Sequence, residues 1–301
     1  MSSTPISIRR SGTPERGTAE LSPARAVWRM LRRSPLTLSG TMVIVLFAGI
    51  AFLAPWLALQ SPIAQDLSQR LAPPTLHHPF GTDSLGRDVY SRVVYGARIS
   101  VVSGIAVVTA AITFGTAAGT LAGWRGAWWD EALMRVTDMF LAFPSLVLAL
   151  AISAILGPSL TNALIAIAVT SWPPYGRLAR AQVLSLRSRD YVEAARAEGA
   201  TDVKIIFRHL IPNAIAPLLV QATLDVGNII LIAAGLSFIG FGAQPPTPEW
   251  GLMVSEGRRF LMEQWWIATS PAIAILALVL GFNLVGDGIR DVLDPRLRKM
   301  T

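Results

Sequence analysis

The sequence contains no cysteine, only two lysines and few charged residues overall. Without cysteine, the chain cannot be a disulfide-stapled secreted module. Charged residues make up 15% of the 301 positions, against about a quarter in ordinary soluble domains. Hydrophobic residues make up 52%, the mean hydropathy is +0.49, and long apolar runs exclude a disordered chain. The composition therefore indicates an all-α integral membrane protein.

Basic residues exceed acidic ones, 26 to 19, which gives a net charge of +7. Such an excess alone would suggest nucleic acid as a partner. In a membrane protein, however, basic residues concentrate in cytoplasmic loops. The charge therefore predicts contact with membrane lipid and no nucleic acid.

Stretches without charged residues predict where the chain crosses the membrane, because a spanning helix needs about 20 predominantly apolar residues. One long stretch is interrupted by Gly157-Pro158 and indicates two helices joined by a turn. Another extends back to residue 214 if Asp225 is tolerated within the membrane. The sequence thus predicts six transmembrane helices, at roughly 36–58, 98–122, 135–156, 160–178, 214–240 and 266–287.

The distribution of basic residues predicts that both termini are cytoplasmic. In that orientation, 20 of the 26 lysines and arginines lie inside. The first apolar run begins near residue 36 and exceeds the length of a signal-peptide core, which favours an uncleaved anchor over a cleaved signal. The predicted organisation is a cytoplasmic tail (1–35), the first helix with an extracytoplasmic loop (36–97), a five-helix core (98–290) and a cytoplasmic C-terminal tail (291–301).

Within the N-terminal tail, Ser22-Pro23 is typical of a helix start. Helical projection of residues 24–33 places the apolar side chains on one side and four arginines on the other. This pattern predicts a helix lying on the membrane surface.

The cytoplasmic segment 189–213 is too long for a simple connection, and its sequence predicts two short helices. The first spans about 189–198 and ends at Gly199 in the left-handed conformation. Thr201 then caps a second helix, which Pro212 ends, and Asn213 caps the next span. One apolar stripe on the second helix, formed by Val203, Ile206, Phe207 and Leu210, predicts a partner surface or packing on the chain's own inner helix ends.

The order Glu193-Ala194-Ala195, Gly199 and Ile211-Pro212 resembles the EAA loop of bacterial ABC importer permeases. The usual loop has EAA, three residues, glycine, nine residues and Ile-x-Leu-Pro, so His209 and Ile211 depart from it. In that family the loop enters a cleft on a cytosolic ATPase. The coupling residues that the resemblance and the stripe predict are Glu193, Ala194, Ala195, Gly199, Asp202, Val203, Ile206, Phe207, His209 and Pro212.

Three further segments resemble the C-type permease of the dipeptide, oligopeptide and nickel branch of that family. They are HPFGTDSLGRDVYSRVVYGARIS (78–100), LSFIGFGAQPPTPEWG (236–251) and FNLVGDGIRDVLDPR (282–296). The resemblance implies a type I ABC importer permease fold in the bacterial cytoplasmic membrane. It also implies a second homologous permease, two cytosolic ATPases and an extracytoplasmic solute-binding protein as partners.

The resemblance implies a pore-forming subunit that carries peptides, with nickel or another small solute as the alternative. A Walker-type ATP site needs Gly-Lys-Ser/Thr, and neither Lys204 nor Lys299 follows a glycine. The chain is therefore expected to bind no cofactor and to be no enzyme by itself, with ATP and Mg on the partner ATPases. An intramembrane protease is excluded because Ser237 and His209 would lie about 40 Å apart on one helix.

Asp225 is the charged residue that lies deepest within a predicted span, the others lying within three residues of a span end. A central membrane carboxylate costs roughly 2.5–3.5 kcal/mol on insertion scales. Asp225 is predicted to face the translocation path, with an interfacial position as the alternative. Gly115, Gly119 and Gly123 form a smooth strip that predicts close helix packing, either within the chain or against the partner permease along the path. A secondary transporter is disfavoured because the sequence shows no internal repeat.

The outer loop contains Gly81, Asp83, Gly86 and Asp88, which favour tight turns and helix capping. Direct contact with a delivery protein is the alternative. Two adjacent histidines, His77 and His78, lack a third ligand, so no metal site is predicted.

Overall fold

The computed structural model describes residues 34–293, and its regular elements are helical. The predicted surface helix at 24–33 and nearly all of the predicted C-terminal tail lie outside these residues. The helices are α1 (Pro35–Leu57), α2 (Val89–Arg125), α3 (Ala127–Leu141), α4 (Ser145–Leu156), α5 (Leu160–Ser171), α6 (Pro173–Leu186), α7 (Asp190–Ala197), α8 (Asp202–Ile205), α9 (Ile211–Ile239), α10 (Trp250–Gly257) and α11 (Trp266–Leu293).

Within residues 34–293, four helical segments are long and apolar enough to cross a membrane. These segments correspond to the first, second, fifth and sixth predicted spans. They are Pro35–Leu57, Val89–Arg125, Asp202–Ile239 and Trp266–Asp291. The bent pair α3 and α4 would make a fifth segment if it forms one broken span.

The prediction of one helix over 135–156 is wrong, because the chain bends there. Helix α3 ends at Leu141, α4 begins at Ser145, and the two axes differ by 91°. Pro144 has an extended backbone (ψ 127°) directly before α4. Proline cannot donate the helical hydrogen bond and disfavours the helical conformation of the residue before it, so the apolar run is interrupted here.

The predicted span 160–178 is also divided, at Trp172. Helix α5 covers Leu160–Ser171 and α6 begins at Pro173, while Trp172 keeps helical backbone angles. Pro173 and Pro174 lack N–H donors, which weakens the ladder at this junction. The third and fourth predicted spans are therefore each built from two helical pieces.

Helix α2 begins at Val89, nine residues before the predicted start of the second span. The Asp88 carboxylate caps it by accepting from the Ser91 N–H at 2.7 Å. Arg92 lies in this additional turn and is 1% exposed. Its guanidinium donates to Glu256 at 3.2 Å, so the charge is buried with an acidic partner instead of ending the helix.

Glycines allow the close approach of the long helices. Gly40 of α1 faces Gly281 of α11. Thr37, about one helical turn before Gly40, lies against Gly288 of the same helix α11. On α2, the strip Gly115, Gly119 and Gly123 lies against α6 of the same chain. Small residues let backbones approach closely within the membrane. These contacts therefore hold α1 against α11 and α6 against α2.

An outer layer joins the loop 58–88 to α10 through buried charges. Arg87 Nε donates to Asp83 at 2.6 Å, and Arg87 Nη2 donates to Glu256 at 3.0 Å. Trp250, fully buried, donates its indole N–H to the Val93 carbonyl at 2.9 Å. Paired and hydrogen-bonded charges are tolerated in the interior, and here they hold the outer loop rigidly on the helix ends.

Candidate functional site

The segment 189–213 begins as predicted, with a short helix that ends at a glycine. Helix α7 covers Asp190–Ala197, and Gly199 has φ +81°. The Gly199 N–H donates to the Arg196 carbonyl and the Ala200 N–H donates to the Ala195 carbonyl, both at 3.0 Å. These two bonds form a Schellman motif, which confirms the predicted left-handed end of this helix.

The second helix begins as predicted but does not end at Pro212. Thr201 accepts from the Lys204 N–H and caps α8. From Ile206 to Leu210 the helix widens, and the Ile211 N–H donates to the carbonyl of Ile206, five residues back. The wider turn changes the hydrogen-bond register just before the proline, so the helix continues directly into α9. The prediction that Pro212 ends the helix is wrong.

Asn213 does not cap the next span either. Its side-chain nitrogen donates to the His209 carbonyl at 2.6 Å within the continuous helix. The second half of segment 189–213 and the fifth predicted span therefore form one helical rod, Asp202–Ile239.

The predicted apolar stripe on 203–210 is divided between two surfaces. Val203 and Phe207 are 65% and 69% exposed, whereas Leu210 is completely buried. Ile206 is half-buried, and Ile205, which was not in the stripe, is completely buried. Internal packing is thus shown for Leu210, while Val203 and Phe207 stay exposed and a partner surface for them remains a prediction.

A second apolar cluster fixes the segment to the C-terminal ends of α2 and α6. It contains the buried side chains Val183, Val192, Ala195, Ile205 and Leu210, with Trp124 and Leu186 beside them. The Arg196 guanidinium lies over the Trp124 ring, 5.1 Å from its centre. The cluster makes α7 and α8 a rigid projection rather than a loose loop.

The structure places most of the predicted coupling residues on the open side of this projection. Ala195 is buried in the cluster and His209 is half-buried near the ring of Tyr191. The exposed members are Glu193, Ala194, Gly199, Asp202, Val203, Phe207 and Pro212. We call Val203 and Phe207, with the exposed backbone around Ala194 and Gly199, the coupling surface.

Sequence reasoning missed the residues that anchor this surface. Ile205 lies between two members of the predicted stripe but was not assigned to it, and Trp124 lies more than 70 positions from Arg196. The local signal for Ile205 was its apolar side chain directly before Ile206 of the stripe. No local sequence pattern predicts the Arg196–Trp124 contact, because it depends on how α2 packs against α7.

Asp225 lies at the middle of α9, half-buried, and not near a helix end. The Gln221 side-chain N–H donates to its carboxylate at 3.0 Å. Tyr175 of α6 flanks the carboxylate on one side. Among the described residues, no ion pair includes Asp225.

Gly115 and Gly119, assigned to the path together with Asp225, are in a different environment. A Cβ at Gly115 would lie 2.5 Å from the Trp172 carbonyl oxygen, and one at Gly119 would overlap the Gly176 carbonyl oxygen. The strip therefore packs within the chain, which is the internal alternative that the sequence left open.

The outer-loop residues serve the turns that the sequence predicted. Gly81 and Gly86 have φ +67° and +72°, a conformation that favours glycine. Asp83 accepts from the N–H groups of Leu85 and Arg87. His78 faces the Asp88 carboxylate at 3.0 Å, and among the described residues no three His, Asp or Glu side chains form a metal-binding group.

Glu249 shows the electrostatics of the outer layer. Its carboxylate caps α10 by accepting from the N–H groups of Gly251 and Leu252 at 3.0 and 2.8 Å. Burial raises the pKa of the Glu249 carboxyl, and these hydrogen bonds act in the opposite direction. Its fixed position at a helix start indicates a structural role.

Comparison with known proteins defines the class. Residues 115–299 match the family described as binding-protein-dependent transport system inner membrane component. Residues 22–74 match the N-terminal transmembrane domain of oligopeptide transport permease C. The chain belongs to the family of binding-protein-dependent transport system inner membrane components. It is a non-catalytic, multi-pass permease subunit of a binding-protein-dependent ABC importer in the inner membrane.

The relatives are more specific. The chain is 47% identical to the dipeptide transport system permease protein DppC of Alkalihalophilus pseudofirmus, over 96% of this chain and 95% of that protein. It is 49% identical to the probable D,D-dipeptide transport system permease protein DdpC of Escherichia coli, over 91% of both chains. It is 41% identical to the glutathione transport system permease protein GsiD of Escherichia coli, over 92% of both.

A solved structure supports the fold alone. The permease architecture resembles an inward-facing structure of the MetNI methionine ABC transporter, with a TM-score of 0.53 and 19% identity. The match covers 67% of this chain and 97% of that one. The type I ABC importer permease fold that the sequence resemblance implied is therefore confirmed.

Proposed function

We propose that this chain, paired with a second homologous permease, forms the path by which short peptides enter the cell. The names of the three relatives support a peptide substrate, since dipeptides, D,D-dipeptides and glutathione are all short peptides or peptide-like. Nickel or another small solute carried by the same machinery is the alternative.

The observation that carries the proposal is the coupling surface. Phe207 and Val203 are large, apolar and exposed on a projection whose buried side is firmly packed. Exposed apolar clusters on otherwise well-packed elements mark protein interfaces. We infer that each of two cytosolic ATPases, which bind ATP and Mg, receives such a projection from one of the two permeases.

In the proposed cycle, ATP closes the paired ATPases, draws the two projections together and opens the permeases outward. Hydrolysis returns them to the inward-facing state. An extracytoplasmic solute-binding protein delivers the solute at the outer layer. The chain itself needs no cofactor for this role.

Transport should depend on the complete complex. Vesicles that contain this chain, its partner permease and both ATPases, supplied with the binding protein, should take up labelled dipeptide only when ATP is present. Vesicles without this chain should show background uptake. ATP-driven uptake of nickel but not of dipeptide by the same vesicles would establish the alternative solute instead.

The proposed topology has six crossings with both termini in the cytoplasm, with α3–α4 and α5–α6 each crossing once. It has a direct test, because the chain contains no cysteine. A membrane-impermeant thiol reagent applied to intact cells should label a cysteine at Ser68 or Gln244, both exposed in the outer layer. It should leave a cysteine at the exposed Thr201 unlabelled until the cells are opened. Labelling of Thr201→Cys alone in intact cells would reverse the orientation.

A further inference from the structure

Helix α9 carries three polar side chains on one face at mid-span. Gln221, Asp225 and Asn228 are spaced by four and three residues, so at 100° per residue they fall within an arc of about 60°. We call these three residues the polar stripe. Spacing of this kind in an otherwise apolar helix places three hydrogen-bonding groups in a single row.

The polar stripe lies at the edge of the core of its own chain, because Tyr175 of α6, which is buried in the main apolar cluster, flanks Asp225. Val226, Ile230 and Ala233, on the opposite side of α9, are buried in the main apolar cluster. Asn228 is exposed, and Gln221 and Asp225 are half-buried. Carboxylates and amides at this depth are costly against lipid, so this face requires an aqueous path or a polar partner.

The charges around the polar stripe are unbalanced. The Asp225 carboxylate accepts from the Gln221 side-chain N–H at 3.0 Å and lies beside the Tyr175 hydroxyl, and both of these groups are neutral. The ion pairs among the described residues do not include it. A carboxylate in this position is satisfied by a cation that approaches from the open side, and an ammonium group is the cation that a peptide carries.

The length of the polar stripe fits a short peptide. Seven residues of helix separate Gln221 from Asn228, which is about 10 Å. An extended chain advances about 3.3–3.6 Å per residue, so two to three residues cover that length. Side-chain amides both donate and accept hydrogen bonds, and peptide groups need both.

We propose that the polar stripe is the contact within the path for a solute with a free ammonium group, namely a di- or tripeptide. Asp225 binds the ammonium group, while Gln221 and Asn228 bind the peptide groups beside it. This inference rests on the proposed peptide transport and adds the part of the solute that the permease itself recognises.

The experiment uses the purified complex of both permeases and both ATPases, without a binding protein, so that selection by the binding protein does not contribute. A single cysteine replaces Asn228, and its rate of reaction with a maleimide is measured. A dipeptide should slow this reaction, and the matching N-acetyl dipeptide, which lacks the ammonium, should need a roughly tenfold higher concentration for the same effect. A cysteine at Leu219, which is exposed near the start of α9 and lies outside the polar stripe, should react at the same rate with and without peptide.

Adding Asp225→Asn to the Asn228→Cys chain should remove the difference between the two dipeptides, and Asp225→Glu should retain it. Equal protection by both dipeptides, or none, overturns the proposal. Failure of Asp225→Asn to co-purify with the partner permease assigns the carboxylate to the permease interface and also overturns it. Failure of the unmodified vesicles to take up dipeptide would instead contradict the proposed function, so the two failures are distinguishable.

Discussion

Replacing Phe207 with Asp should abolish ATP-dependent uptake while leaving the permease folded. The side chain is 69% exposed, so the free chain loses little packing when it is removed. In the complex, burying a phenylalanine contributes about 1.5–3 kcal/mol, and a carboxylate in an apolar cleft adds a desolvation penalty. A total of about 4 kcal/mol corresponds to roughly a thousandfold weaker binding of the ATPase.

The measurement is co-purification of the ATPases with the permease pair, together with uptake in vesicles. Phe207→Leu retains an apolar group and should keep most of both. Leu210→Ala is the matched contrast, because Leu210 is completely buried. That variant should lower the free energy of unfolding of the permease by about 2–5 kcal/mol. Normal ATPase binding and uptake by Phe207→Asp would remove this surface from the coupling contact.

A cross-linking comparison separates the coupling surface from its anchor. A cysteine at Phe207 should cross-link to an ATPase cysteine in the assembled complex. A cysteine at Ala195 should not, because that position is 8% exposed and packs in the cluster beneath.

The second large effect is expected at the glycine strip between α2 and α6. Gly119→Leu should prevent accumulation of folded permease. Even a Cβ at this position would overlap the Gly176 carbonyl oxygen and lie 2.9 Å from the Ala179 Cβ. Overpacking costs about 1–3 kcal/mol where side chains can move, and here backbone must move, so the helices would separate.

The strip also predicts how strongly alanine substitutions at its three glycines destabilise the permease. A Cβ meets backbone most closely at Gly119, less closely at Gly115 (2.5 Å) and least at Gly123, where the Val183 side chain lies 3.0 Å away. The melting temperature of the purified permease should therefore fall most for Gly119→Ala, less for Gly115→Ala and least for Gly123→Ala. Gly49→Leu is the control, since a Cβ there meets nothing within 4 Å. Equal tolerance at Gly49 and Gly119 would contradict the packing of α2 against α6.

Part of the fold followed from local pattern. Apolar length predicted α1, α2, α9 and α11 as membrane helices, because hydrophobic runs of about 20 residues have few other stable environments. The glycine end of α7 and the Thr201 cap were also predictable, since positive φ and N-capping are properties of single residues. Pro144 and Pro173 were visible in the sequence, but the bend that the first one produces depends on the helices packed around it.

The candidate site was predictable as a segment and not as a surface. The order of Glu193, Gly199 and Pro212 located it, because that spacing is a property of the chain alone. Which side of the segment stays open depends on Trp124 and Val183, which reach it from other helices.

The sequence by itself determined that this protein is a membrane permease, where its long helices run and which segment forms the projection of α7 and α8, because hydrophobic length and turn chemistry act over neighbouring residues. The tertiary structure decided that Leu210 packs inward while Phe207 stays open, and that the glycine strip meets α6. It also placed Asp225 half-buried beside Tyr175, with Asn228 exposed on the same face of α9. These outcomes depend on which helix faces which, and that is set by the packing of residues far apart in the chain.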